Sequence, residues 1–300
     1  MSQSLVCLLR SVLCSVWLLA HPSVTAQLPD LDDRLAALSP DDPVAYFELG
    51  EEIADAASTP EERAVAQRLY VLSFSIASEG ELHRWLLPSS CLALAAIEPG
   101  EERRAWLRAL ASLTDPRYTA APAASGLELD AQAAAAALRL AEFVGLSRAG
   151  LGRLARDRLE DPAVQALAEQ IHIEPSSRSR PIAISRLRSE AAIWPCPECA
   201  NARTIPDPDD RRSSVIYCPT CRGDPGPLLT PKEFVGAVVL EAVLLEAGAT
   251  SWSADLALGL DRPIRDPSPA ELAAMYGVDT AARWFINGEW SASPADQTDG

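Results

Sequence analysis

The chain has 300 residues, of which 26 are basic and 42 acidic, for a net charge of −16. Nearly half of it is apolar and its mean hydropathy is +0.02, enough apolar material for two small packed domains. The negative balance weighs against a nucleic-acid backbone or an anionic membrane surface as partner.

Residues 1–26 read as an export signal. Arg10 is the lone charge, an apolar core follows over 13–20, and Val24-Thr25-Ala26 is an A-x-A-like cleavage site. Cleavage leaves a chain beginning at Gln27 with 25 basic and 42 acidic residues, a net of −17. The expected location is the periplasm or the extracellular space, with no stable membrane insertion. The alternative is an uncleaved anchor, although the apolar core is short for a span. Leu13 before Cys14, where a lipoprotein signal wants a small residue, argues against lipidation. Lys232 is the sole lysine, and the abundance of alanine and arginine looks like a GC-rich bacterial coding bias.

The stretch 27–173 reads as a helical domain. Over 43–77 two helices are expected back to back, with Tyr46, Leu49, Ile53 and Ala56 on one stripe and Ala66, Leu69, Tyr70 and Leu72 on the next. Thr59-Pro60-Glu61-Glu62 opens the second as a capping box, and Thr230-Pro231-Lys232-Glu233 and Ser268-Pro269-Ala270-Glu271 repeat the device later. The opening Tyr46-x2-Leu49-Gly50 resembles the start of a tetratricopeptide repeat, with Ile53 where that family has a tyrosine and a longer turn. Glu98-Pro99-Gly100-Glu101-Glu102-Arg103 echoes 59–63 and suggests a second helical pair. Beyond a small-residue loop at 120–126, helices are expected over 130–144, over 147–159 with Ser147 as its cap, and over 162–171. The stretch 174–190, rich in serine and arginine, reads as a linker.

Within 191–226 the spacing Cys196-x2-Cys199-x18-Cys218-x2-Cys221 falls in the window of a tetrahedral metal site. Pro197 and Pro219 pre-set the two matched turns. The segment offers few apolar residues, so something other than a core must hold it. The pattern resembles a C4 zinc ribbon, which implies one structural zinc on Cys196, Cys199, Cys218 and Cys221. In an exported protein, paired disulfides compete with zinc, and rubredoxin-like iron is a third option. Iron-binding loops favour a glycine after each knuckle, where this chain has Ala200 and Arg222. Eight arginines against five acids make 175–223 a local island of +3, with Arg211 and Arg212 at the expected hairpin tip. Export and the overall charge argue against nucleic acid, and an intramolecular contact with the acidic helices is the plainer account.

The region 227–292 reads as a C-terminal helical segment. The run 234–240 is apolar nearly all round, which implies burial on more than one side, and Glu241 and Glu246 interrupt it too soon for a membrane span. Asn287-Gly288 between aromatic flanks predicts a β-hairpin that sets Phe285 opposite Trp290. Density of large apolar groups predicts that 230–290 docks on the ribbon and the helical domain instead of trailing as a tail. A disordered tail is expected over 293–300.

No catalytic constellation is legible. His83 and His172 are the histidines left after cleavage, too few for most hydrolytic metal sites. His83 and Cys91 lack an identifiable oxyanion donor or orienting partner, and Cys91 fits a small apolar core position. Gly150-Leu151-Gly152-Arg153-Leu154-Ala155 matches G-x-G-x-x-A, but a helical pattern precedes it where a dinucleotide loop needs a strand. The expected whole is mostly α: a helical-hairpin bundle, a small inserted β zinc ribbon and a helical C-terminal segment ending in a hairpin. It is read as an exported, non-catalytic module with a protein partner. The competing readings are a carboxylate-based hydrolase and a thiol redox protein using the two C-x-x-C pairs.

Overall fold

The structure is a computed structural model that describes residues 30–115, 131–173, 180–192, 195–209, 214–245 and 264–294. The export signal, Arg211 and Arg212, Trp252 and Leu256, and the final tail from 295 lie outside them. Among the described residues there are eleven helices and three two-stranded antiparallel ladders. The mostly helical class expected from the sequence is the one observed. No helix among the described residues is long and apolar enough to cross a membrane.

The first core begins with α1 (Leu31–Ala36), α2 (Pro43–Ala56) and α3 (Pro60–Ser78). The Asp42 carboxylate accepts from the amides of Val44 and Ala45 at 3.2 and 3.3 Å and starts α2. Thr59 and Glu62 form the expected capping box at α3: Glu62 N donates to Thr59 Oγ1 at 3.1 Å, and Thr59 N donates to Glu62 Oε2 at 3.0 Å. Tyr46, Leu49 and Ile53 bury against Leu69, Tyr70 and Phe74. Gly50 permits this approach, since a Cβ there would lie 2.9 Å from the Tyr70 ring. A second antiparallel pair, α4 (Leu86–Ile97) and α5 (Glu101–Thr114), continues the layer with Leu86, Leu94, Trp106, Leu107 and Leu110 inside. Cys91 is fully buried here, as a small apolar residue would be, and burial pushes its thiol up.

A second core gathers α6 (Ala131–Arg148), α7 (Gly152–Leu159), α8 (Pro162–Gln170) and α9 (Ile184–Ala191). The ladder β1 (His172–Ile173) with β2 (Arg180–Pro181) joins α8 to α9. Two expectations are corrected here. Helix α6 runs on to Arg148, so Ser147 sits in its last turn instead of capping a new helix. The cause is Gly150 at φ +67°: Leu151 N donates to Leu146 O and Gly150 N to Ser147 O, a Schellman stop that delays α7 to Gly152. The stretch read as a linker, 174–190, carries β2 and most of α9, because Leu187 and Ala191 have a core to enter.

The two cores share α10 (Pro231–Leu244), capped by Thr230 and Glu233. Phe234 and Val238 enter the first core, with Phe234 6.2 Å from the Trp106 ring, while Leu240, Val243 and Leu244 enter the second. Burial on both sides is the reason this helix is apolar all round. The chain then returns to the first core with α11 (Pro269–Met275) and the hairpin of β5 (Trp284–Ile286) and β6 (Glu289–Ser291). Asn287 and Gly288 both take positive φ, 53° and 83°, as a two-residue primed turn requires. Phe285 lies opposite Trp290, with ring centroids 5.3 Å apart. The hairpin is fastened by Tyr46 donating to Arg283 O at 2.7 Å, by Arg68 lying 4.6 Å over the Trp290 ring and by an Arg283–Glu79 ion pair. The expected docking of the C-terminal segment on the helical domain is thus observed for its described part.

Candidate metal centre

The ribbon occupies the connection between α9 and α10. Its strands, β3 (Thr204–Pro206) and β4 (Val215–Tyr217), pair with Thr204 opposite Tyr217. Each strand is adjoined by one knuckle, and the two knuckles repeat the same backbone. Ala200 and Asn201 follow Cys199 with φ of 48° and 64°; Arg222 and Gly223 follow Cys221 with 52° and 76°. Ala202 N donates to Cys199 O at 2.9 Å, and Asp224 N to Cys221 O at 2.8 Å. Ala200 and Arg222 therefore adopt the left-handed turn that glycine favours in iron-binding loops, although neither is glycine.

This fold brings all four predicted cysteines together, with ligand atoms within 4.8 Å of one another. Cys196, Cys199 and Cys218 are buried and Cys221 is half-buried. The sulfurs of Cys196 and Cys218 are 3.7 Å apart, and those of Cys199 and Cys221 3.8 Å. Four thiolates each about 2.3 Å from a central ion would have edges of about 3.8 Å. The donor set fits a tetrahedral soft-ligand site, and its geometry is that of four free thiols, not of two disulfides. Backbone amides face the sulfurs: those of Cys199 and Glu198 donate to Cys196, and those of Cys221 and Thr220 to Cys218. The Cys199 amide draws the Cys196 thiol down to about 7, whereas burial pushes Cys218 up to about 12. Glu198 straps the knuckles together by accepting from Thr220 Oγ1, with Cys218 Sγ at 3.6 Å from the same oxygen.

Sequence reasoning missed the residues that seat the ribbon. Arg203 is fully buried, and its Nε donates to Gly150 O at 2.8 Å on the α6–α7 turn. Asn201, also buried, accepts from Cys196 N at 2.5 Å and packs on Gly152. A Cβ at Gly150 would lie 2.2 Å from Pro225 O, and one at Gly152 would lie 1.9 Å from Ala191 O. The G-x-G pattern is therefore the seat on which the ribbon rests. Nearby, Arg148 is buried between Glu241 and Asp266, with Nη1 2.9 Å from Glu241 Oε2 and Nε 2.8 Å from Asp266 Oδ1. Burial opposes its charge, and the two carboxylates outweigh that and hold its pKa above the ordinary value.

Comparison with protein-family models, with curated proteins and with solved structures finds no match to this chain.

Proposed function

We propose that the four thiolates hold one structural zinc ion, and that the chain is an exported, non-catalytic protein whose helical scaffold presents this ribbon to a protein partner in the bacterial envelope. The observation that carries the reading is the closed donor set. Four sulfurs spanning a single tetrahedron leave no position for water or substrate, the arrangement of structural sites. Convergence of both C-x-x-C pairs on one centre favours ligation over thiol redox work, which needs an accessible low-pKa thiol with its own resolving partner. Two features support an interaction role. Helices α2 to α5 pack consecutively, each on the next, and a layer of stacked helix pairs of this sort offers an extended surface to a partner. Strand β4 presents Val215, Ile216 and Tyr217 outward, all exposed.

The test is elemental analysis and thiol counting on the mature protein. About one zinc per chain with five free thiols is expected. Two disulfides without metal, or iron in place of zinc, would overturn the assignment. N-terminal sequencing is expected to find Gln27 first; Met1 retained in a membrane fraction would replace export and cleavage with an anchor.

A further inference from the structure

We propose that the metal centre acts as a latch on the second helical body: filling it fixes Asn201 and Arg203 on the Gly150–Gly152 turn and thereby sets the stability of α6 to α9, while the α2–α5 layer stays independent of the metal. The proposal rests on the zinc reading above and adds a consequence that the reading does not require.

Each knuckle hands its geometry to the body through one residue. Asn201 directly follows the Cys199 turn, and its amide side chain is committed at both ends: Oδ1 accepts from Cys196 N, and Nδ2 faces the bare Cα of Gly152. Arg203 accepts from Cys218 N through its carbonyl at 3.0 Å and donates through its guanidinium to Gly150 O. Both residues hold left-handed backbones, φ 64° and 61°, which an L residue adopts at a cost and keeps only where its surroundings fix it. Among its described residues the ribbon has no apolar core to fix them, since the buried cluster there is the cysteines with Ala202 and Ile205 beside them. The metal is therefore the element that holds both residues in register.

On the receiving side, the turn lies at a junction of the body. Leu151 and Ala191 are core residues, and Ala191 O would meet any side chain at Gly152. Two residues before Gly150, Arg148 ties α6 to α10 and to Asp266, and its carbonyl accepts from Arg265 N at 3.0 Å. Arg265 in turn donates to Pro227 O at 2.6 Å, on the segment that leads from the ribbon to α10. The ribbon is thus bonded to the α6 terminus from both its knuckles and its exit. By contrast, none of these bonds involves a residue of α2 to α5.

Hydrogen exchange on the full mature chain, zinc-loaded and after a strong chelator, tests this with zinc counted in parallel. Removing zinc is expected to speed exchange of the Leu151 and Ala155 amides, which donate to Leu146 O and Leu151 O, by about tenfold or more. Helices α2 and α3 are expected to exchange unchanged. Opening confined to 195–225 overturns the latch and leaves the zinc reading standing; absence of zinc from the untreated chain overturns both. Coupling is reciprocal, so Arg203→Met, which keeps all four ligands, is expected to weaken zinc binding about tenfold. Should that variant fail to load at all, Leu140→Ala in the second core and Leu69→Ala in the first decide the matter. Only Leu140→Ala is expected to weaken zinc, and equal zinc affinity in the two would sink the proposal.

Discussion

The first helical core and the ribbon are held together by opposite means. In the core, Tyr46, Ile53, Leu69, Leu86, Leu94 and Leu107 are fully shielded, and buried Ser73 and Glu98 are bonded internally, Ser73 to Pro43 O and Glu98 accepting from Gly100 N, Arg103 and Tyr276. In the ribbon the buried side chains are cysteines, Asn201 and Arg203, while all three residues of β4 face water. Apolar burial stabilises the first by the sum of many small contacts. The described residues of the second offer no such sum, and on the zinc reading proposed above its stability comes from one ligand and from the surface it rests on. The contrast teaches where sensitivity lies: the core is expected to tolerate single losses and the ribbon to fail at one.

Cys218→Ser gives the largest effect. It removes the most deeply buried ligand, and with it metal-binding free energy on the order of 10 kcal/mol. The expected result is loss of zinc and of ordered amides over 195–225, with most of the helical circular dichroism retained. Retention of zinc by the variant would break the comparison.

Arg148→Met is next. The guanidinium neutralises Glu241 and Asp266, both buried, and its removal strands two carboxylates in a low-dielectric site. Breaking a buried pair by deleting one partner costs about 3–5 kcal/mol, read as a lowered urea midpoint. Replacing all three residues by apolar ones of similar volume is expected to recover most of that loss. A single substitution of no consequence would mean that water reaches the site.

These two sites also mark what was legible in the sequence. The cysteine spacing, the three Ser/Thr-Pro-x-Glu starts and Asn287-Gly288 are local patterns, in which a few neighbouring residues fix a turn or a cap, and each is found where expected. The all-round apolar run of α10 also told correctly that it is buried on more than one side. Arg148 meets Glu241 and Asp266 across 93 and 118 residues, and Arg203 meets Gly150 across 53. No spacing rule links such pairs, because the fold, not the local chain, brings them together. Gly150 is the instructive case. Its helix-stop role was available from sequence, as a glycine closing an apolar periodic run, but the glycine pair drew attention to nucleotide loops. Without that stop, α6 ended too early and Ser147 became a cap.

Alkaline pH probes the core where its tyrosines are sealed. Burial pushes the Tyr46 hydroxyl up to about 12 from an ordinary 10, with Arg283 opposing, and burial raises Tyr70 and Tyr276 in the same direction. Between pH 10 and 12 the unfolded chain loses the Tyr46 proton while the folded chain keeps it, so stability is full below 10 and falls as pH rises through 12. The share due to Tyr46 is about 2–3 kcal/mol. Tyr46→Phe is expected to flatten that part of the slope, at a cost near neutral pH of about 1 kcal/mol for the lost bond to Arg283 O. An unchanged alkaline slope in the variant would place the titration elsewhere.

The smallest expected effect sharpens the comparison most. Val215 is 63% exposed and Ile216 39%, on a strand whose described pairing is with β3 alone. Threonine at both positions keeps the β-branched shape that a strand favours and removes apolar surface that at Val215 is mostly, and at Ile216 partly, in contact with water. Val215→Thr with Ile216→Thr is therefore expected to change the melting free energy by less than about 0.5 kcal/mol and to leave zinc stoichiometry intact. A loss comparable to that of a core truncation would show that β4 packs against something within the chain, and the ribbon would no longer be a body without an apolar interior. If stability is unchanged, the same variant isolates the interaction role. A partner that crosslinks to the wild-type ribbon in the envelope is expected to be lost from a protein that is folded, loaded with metal and altered only on this strand. Retention of that partner would move the binding surface off β4 and back to the helical hairpins, where Gly50 and its neighbours shape the layer.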